Sequence, residues 1–154
     1  MNTISEKKEK YTLLHQQLLS LVDGEQDVVA LMANTAALIQ DAFGFWWTGF
    51  YRVLGEELVL GPFQGPMACT RIAYGRGVCG TAWQKRHSIV VPDVEQFPGH
   101  IACSSASRSE IVVPLISHDR VVAVLDIDSE QLSQFDETDR EGLEQLAAVL
   151  APFF

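Results

Sequence analysis

The 154 residues carry 20 acidic against 11 basic side chains, a formal net charge of −9. That charge argues against a nucleic-acid or anionic-membrane partner, because both need a basic footprint. A hydrophobic content of 47% is that of a globular chain, the length suits one domain covering residues 1–154, and apolar runs such as "RVVAVLDI" are too short to span a bilayer.

No continuous apolar segment follows Lys7, Lys8 and Lys10, so no signal peptide is read and a cytoplasmic location is expected. Residues 3–22 read as a helix: Thr3 and Glu6 have capping-box spacing, and Tyr11, Leu14, Leu18 and Leu21 form one apolar stripe. Gly24 is the expected stop. The stripe suits packing on the same domain or pairing with a second copy. A second helix, about 26–42, presents Val28, Leu31, Met32, Thr35, Leu38 and Ile39 and ends before Gly44. Strands follow at 45–53 and 57–63 as a hairpin around "LGE", and a third at 68–74. Residues 77–87 read as a short helix and 88–93 as a short strand. Residues 110–117 and 120–129 are two strong strands around "HD". The last helix has Asp136 as N-cap and Leu143, Leu146, Ala147 and Leu150 as its apolar face. The order does not alternate regularly, so the reading is α+β: an antiparallel sheet of five or six strands. The helices, including the N- and C-terminal ones, lie on one face, and the irregular stretch 64–109 covers the other.

Three cysteines, Cys69, Cys79 and Cys103, cannot form a closed disulfide framework, and a reducing cytosol would keep them as thiols. With no Cys-x-x-Cys or His-x-x-x-His spacing, no metal motif is read, and a zinc site would need scattered ligands. The run "GRGVCG" (75–80) matches the dinucleotide pattern G-x-G-x-x-G, but Asp93 lies only 13 residues beyond Gly80, and there is no second mononucleotide half. A tight turn and a helix close-packed on the sheet account for those glycines better.

Alternation places Asp126 and Asp128 on one face of their strand with Val122 and Val124, and Leu125 and Ile127 on the other. A three-residue connection would bring Glu110 opposite one of them, whereas a strict two-residue loop would turn Glu110 to the opposite face. Three clustered acids repel, which raises at least one pKa and suits an ammonium ligand or a protonated carboxyl acting as acid. Cys103 sits in "HIACSSASRSE" (100–110), among residues too small to bury it.

The segments "GPFQGPMACTRIAYGRGVCGTAWQ", "VPDVEQFPGHIACSSASRSEIVVPL" and "VVAVLDIDSEQLSQFDETD" resemble the free methionine-(R)-sulfoxide reductases, single-domain proteins of the GAF fold. The resemblance rests jointly on cysteine spacings of 10 and 24, the glutamate seven residues after the last cysteine, and the Asp-Ile-Asp. It implies a GAF domain whose pocket lies on the sheet face away from the terminal helices. It further implies that Cys103 attacks the sulfoxide sulfur of the free amino acid and becomes a sulfenic acid as methionine leaves. Cys69 would resolve that acid to a disulfide for thioredoxin to reduce, with NADPH as the source of electrons through thioredoxin reductase. Cys79 would be dispensable or would relay the disulfide. Asp126 would hold the substrate ammonium, Glu110 and Asp128 would bind and protonate the sulfoxide oxygen, and Trp47 with Tyr51 would wall the methyl group. No bound cofactor or metal is implied, and a homodimer is.

Two alternatives stand beside this reading: a non-catalytic GAF sensor that binds a small molecule in the same pocket, and a thiol redox sensor that responds to oxidants with no dedicated substrate. His100 suits either poising Cys103 or capping a turn. Arg108 reads as solvated, Trp46, Phe50 and Phe63 as core, Trp83 as helix packing, and His15 and His87 as surface.

Overall fold

The computed structural model describes residues 2–101, 103 and 106–154. Of the small-residue loop, Ala102, Ser104 and Ser105 lie outside the described residues, and with them the expectation that their small size lets Cys103 approach its partners.

Helix α1 (Ile4–Gly24) starts at Thr3, whose side chain accepts from the Glu6 amide while Glu6 returns a bond to the Thr3 amide. This is the capping box expected from the spacing. The helix runs through Gly24, and the Glu25 amide closes it on the Leu21 carbonyl, one residue beyond the predicted stop. Helix α2 (Val28–Phe43) is capped by Asp27 and ends at Gly44 in the left-handed region. Strands β1 (Trp47–Leu54) and β2 (Glu57–Gln64) turn through Gly55, at φ 65°. Strand β3 (Arg71–Ala73), helix α3 (Gly77–Lys85), strand β4 (Ile89–Val91), strands β5 (Ser109–Ser117) and β6 (Arg120–Ser129), and helix α4 (Glu137–Leu150) complete the order. The sheet has six antiparallel strands in the order β3-β2-β1-β6-β5-β4.

The two faces differ as the α+β reading requires. Phe50, Ile111, Val113, Leu115, Ala123, Leu125 and Ile127 meet the apolar stripes of α1, α2 and α4. Each fully buried Phe, Ile, Val or Leu among them contributes about 1.5–3 kcal/mol. On the opposite face Tyr51, Val112 and Val124 pack with Val78, Cys79 and Ala82 of α3. Helix α1 is fixed to α4 by a buried polar knot. The Lys7 ammonium lies 2.6 Å from Asp139 Oδ2, and the Tyr11 hydroxyl donates to Asp139 Oδ1 at 2.7 Å. Gly142 allows it, because a Cβ there would stand 2.3 Å from the Tyr11 ring.

The hairpin β5–β6 departs from the register rule. Its connection is a strict two-residue loop, with His118 at φ 50° and Asp119 at φ 63°, the geometry of a tight hairpin turn. Glu110 nonetheless pairs with Asp128. The register shifts once, between Leu115↔Ala123 and Ile116↔Val121, where Val122 is the extra residue of a β-bulge. The bulge supplies the offset that a three-residue loop would have supplied. It also moves Val122 to the helix-packed side and Val121 to the other, reversing the expected side of Val122.

Candidate active site

The pocket floor is the central part of the sheet, and its composition follows from register. One row across the sheet reads Trp47, Asp128, Glu110, Val91, and the next reads Gly49, Asp126, Val112. The three acids are therefore neighbours. Gly49 is required beside Asp126: a Cβ there would lie 2.4 Å from Phe63 Cβ and 2.6 Å from the Trp47 ring. Trp47 stacks on Phe63 at 5.2 Å between ring centroids and faces Tyr51 at 6.0 Å.

The roof comes from the segment before β3, from α3 and from the segment before β5. Met67, Ala68, Arg76, Cys79, His100, Ile101, Cys103 and Ser107 line it above Trp47, Tyr51 and the acids. A disulfide joins Cys69 to Cys103, with Cα atoms 5.4 Å apart, and ties two roof segments together. Both sulfur-bearing residues are half-buried. The two aromatic residues hold the roof as well as walling the pocket. Trp47 Nε1 donates to the Pro66 carbonyl at 3.0 Å, and the Tyr51 hydroxyl donates to the Cys69 carbonyl at 2.9 Å. Gly80 lets α3 approach the sheet, since a Cβ there would be 2.6 Å from the Ala73 carbonyl oxygen, and Gly75 and Gly77 adopt positive φ. The "GRGVCG" run thus builds the close-packed turn and helix start anticipated for it.

The electrostatics of the floor follow from burial. Desolvation pushes the Glu110 carboxyl well above the usual carboxylate range, and the Asp126 and Asp128 charges push it further. Asp128 is raised by burial and by Asp126, opposed by a 2.9 Å bond from the Ser107 hydroxyl. Asp126 is raised by burial too, but bonds from Glu110 and Cys79 oppose the rise. All three carboxyls are thus raised by burial, with Glu110 and Asp126 hydrogen-bonded to each other, and the cluster titrates as a unit. The Cys79 thiol, pushed up by burial and then by the same carboxylates, stays protonated and also bonds Asp126. Burial lowers His100 against the pull of Asp126, and its Nε2 stands 3.8 Å from Glu110 Oε1. Asp126 Oδ1 is buried and has no hydrogen-bond partner among the described residues. An occupant must supply a donor there, because an unpaired buried acceptor is costly.

Every residue singled out from the sequence as a site residue meets here: Cys69, Cys79, Cys103, Glu110, Asp126, Asp128, Trp47 and Tyr51. Cys79 alone of the cysteines is outside the disulfide. Phe63, expected as core, is half-buried against Trp47; Phe50 is core on the helix side, and Arg108 is exposed. Trp83 packs edge-on against Tyr74, His87 is exposed, and His15, expected at the surface, is half-buried. Met67, Arg76 and Ser107 were not anticipated. Only Ser107, in a loop of small residues just before Glu110, carried any signal in the sequence.

Residues 23–153 match the GAF domain family. The free methionine-R-sulfoxide reductase of Escherichia coli (strain K12) is 46% identical over 145 residues, 94% of this chain and 88% of that one. The GAF domain-containing protein A of Dictyostelium discoideum is 54% identical over 94% of this chain and 92% of its own. The X-ray structure of free methionine-R-sulfoxide reductase from Neisseria meningitidis in complex with its substrate superposes with a TM-score of 0.91 at 57% identity, covering 94% of this chain and 87% of that one.

Proposed function

The chain belongs to the GAF-domain family and, within it, to the free methionine-R-sulfoxide reductases, and from that premise we propose that it reduces free L-methionine (R)-S-oxide to L-methionine through Cys103 and Cys69. The observation that carries the mechanism is the placement of the Cys103 sulfur in the roof of a pocket whose floor holds three acids, with an Asp126 oxygen unpaired among the described residues.

The Cys103 thiolate attacks the sulfoxide sulfur. The oxygen passes to Cys103 with a proton, giving a sulfenic acid, and methionine leaves with its sulfur reduced. Glu110, which burial keeps protonated, supplies the proton, and Asp128, held by Ser107, shares the oxygen. Asp126 Oδ1 takes the ammonium of the free amino acid, with Cys79 orienting that carboxylate. Trp47 and Tyr51 wall the methyl group. The Cys69 thiol then displaces water from the sulfenic acid, forming the Cys69–Cys103 disulfide before further oxidation can occur. That disulfide is the product state of one turnover.

Thioredoxin, itself reduced from NADPH by its reductase, returns both thiols, which the half-buried position of both cysteines permits. No cofactor is bound, residues 1–154 act as one domain, and the working form is a cytoplasmic homodimer. A purely binding sensor would not need a disulfide in its pocket, and a general thiol sensor would not need the acid floor.

The test is NADPH oxidation with methionine-(R)-sulfoxide, thioredoxin and thioredoxin reductase. Turnover is expected, and a rate no higher than that of Cys103→Ser would reject the reading.

A further inference from the structure

The sequence offers no local metal motif, yet the fold assembles one from three elements. Cys79 of α3, Glu110 of β5 and Asp126 of β6 each present a donor atom, all within 4.8 Å of one another and all buried. All three line the pocket, so a ligand reaches them without unfolding the roof. Asp126 is 6% exposed, and its Oδ1 lacks a partner among the described residues.

We propose that Cys79, Glu110 and Asp126 form a three-donor site for a thiophilic divalent cation of the zinc class, and that the cation and the substrate exclude each other. Zinc binds sulfur at about 2.3 Å and carboxylate oxygen at about 2.1 Å. Tetrahedral geometry then places donors about 3.5 Å apart, so a closure of about 1 Å by side-chain rotation completes the site. One sulfur with two oxygens selects zinc-like ions over magnesium or calcium, which require more numerous oxygen donors. Further donors line the same pocket: His100 Nε2 stands 3.8 Å from Glu110, and Asp128 pairs with Glu110 across the sheet. Binding releases the protons held by the thiol and by Glu110, and the cation takes over the charge that those protons neutralised. The cation site stands on geometry alone. The exclusion rests on the reading in which Asp126 holds the substrate ammonium, since a divalent cation and an ammonium drawn to the same buried carboxylate repel each other.

Cobalt(II) is the probe, and the disulfide form is the sample, because Cys79 is then the one thiol available to it. A thiolate-to-cobalt charge-transfer band should appear, saturate at one cobalt per chain and vanish on adding zinc. Cys79→Ser should lose the band, with circular dichroism confirming the fold. Asp126→Asn, which leaves the sulfur in place, should weaken binding at least about tenfold. No band, or a band that survives Cys79→Ser, overturns the site. For the exclusion, the Cys69→Ser/Cys103→Ser double variant keeps Cys79 and cannot turn over. Methionine-(R)-sulfoxide should raise its apparent cobalt dissociation constant in proportion to concentration. Sulfoxide that binds by calorimetry without displacing cobalt overturns the exclusion and the ammonium role of Asp126, while the NADPH assay judges the reductase reading separately.

Discussion

Replacing Glu110 by glutamine should make the protein more stable and less active at once. Glu110 is 6% exposed and lies beside two further acids. Its carboxyl is held above the ordinary value of about 4.3 by burial, then by Asp126 and Asp128. A raised folded pKa contributes stability that is full below the unfolded value and is lost as pH rises through the folded one. Each unit of the shift corresponds to about 1.4 kcal/mol. Glutamine keeps the shape and cannot ionise, and its amide donates to the neighbouring carboxylates. The variant should therefore gain about 1–3 kcal/mol at pH 8, the desolvation cost of one buried group. In a domain of this size that is roughly 2–12 °C in Tm. The measurement is calorimetry of both proteins from pH 5 to 8: the wild-type Tm should fall as pH rises, the variant curve should be flatter, and the two should converge at the acid end. Turnover should drop about 10²- to 10⁴-fold with loss of the proton donor. Parallel curves, or a variant less stable at pH 8, would refute the assignment of Glu110 as the strained acid.

Cys69→Ser should release about one methionine per chain and then stall, because the nucleophile remains and its resolver is gone; quenched-flow counting of methionine checks this, and a missing first turnover would reverse the roles. Asp126→Ala should weaken binding of methionine sulfoxide more than that of an analogue lacking the amino group, and equal losses by calorimetry would remove the ammonium role. Reducing the disulfide, which closes a loop of sequence separation 34, should cost about 4 kcal/mol by chain entropy, read as a lower Tm with reductant; an unchanged Tm in wild type, as in Cys103→Ser, would contradict this. Gly142→Ala should drive Tyr11 off Asp139 and cost about 3 kcal/mol while leaving turnover per folded molecule intact, so a neutral Tm would deny the close contact.

The helices were legible because their signals are local. The spacing of Thr3 to Glu6, the N-cap at Asp136 and the apolar stripes all act within a few turns. The acids were legible only conditionally, because alternation gives a face and not an offset. The offset lies in a bulge at Val122, inside "RVVAVL", where uniformly apolar residues leave no polar beat to mark an extra one. The roof was least legible. Met67 and Arg76 line the pocket through the path of connecting segments, and that path is set by tertiary contacts, such as those of Trp47 with Pro66 and Tyr51 with Cys69, with no periodic pattern to announce it.

The bulge also separates two lengths that a plain hairpin would lock together. Pairing beyond Leu115↔Ala123 is what a ladder without Val122 would have, and Val122 is the surplus that the two-residue tip leaves over. Removing Val122 would straighten the strand and keep Glu110 facing Asp128. Inserting one residue beyond the bulge, between Ala123 and Asp126, would rotate both aspartates into the helix-packed core. The tip of this hairpin can therefore change length by a residue while the chemistry stays aligned, and the stretch from Ala123 to Asp128 tolerates no such change.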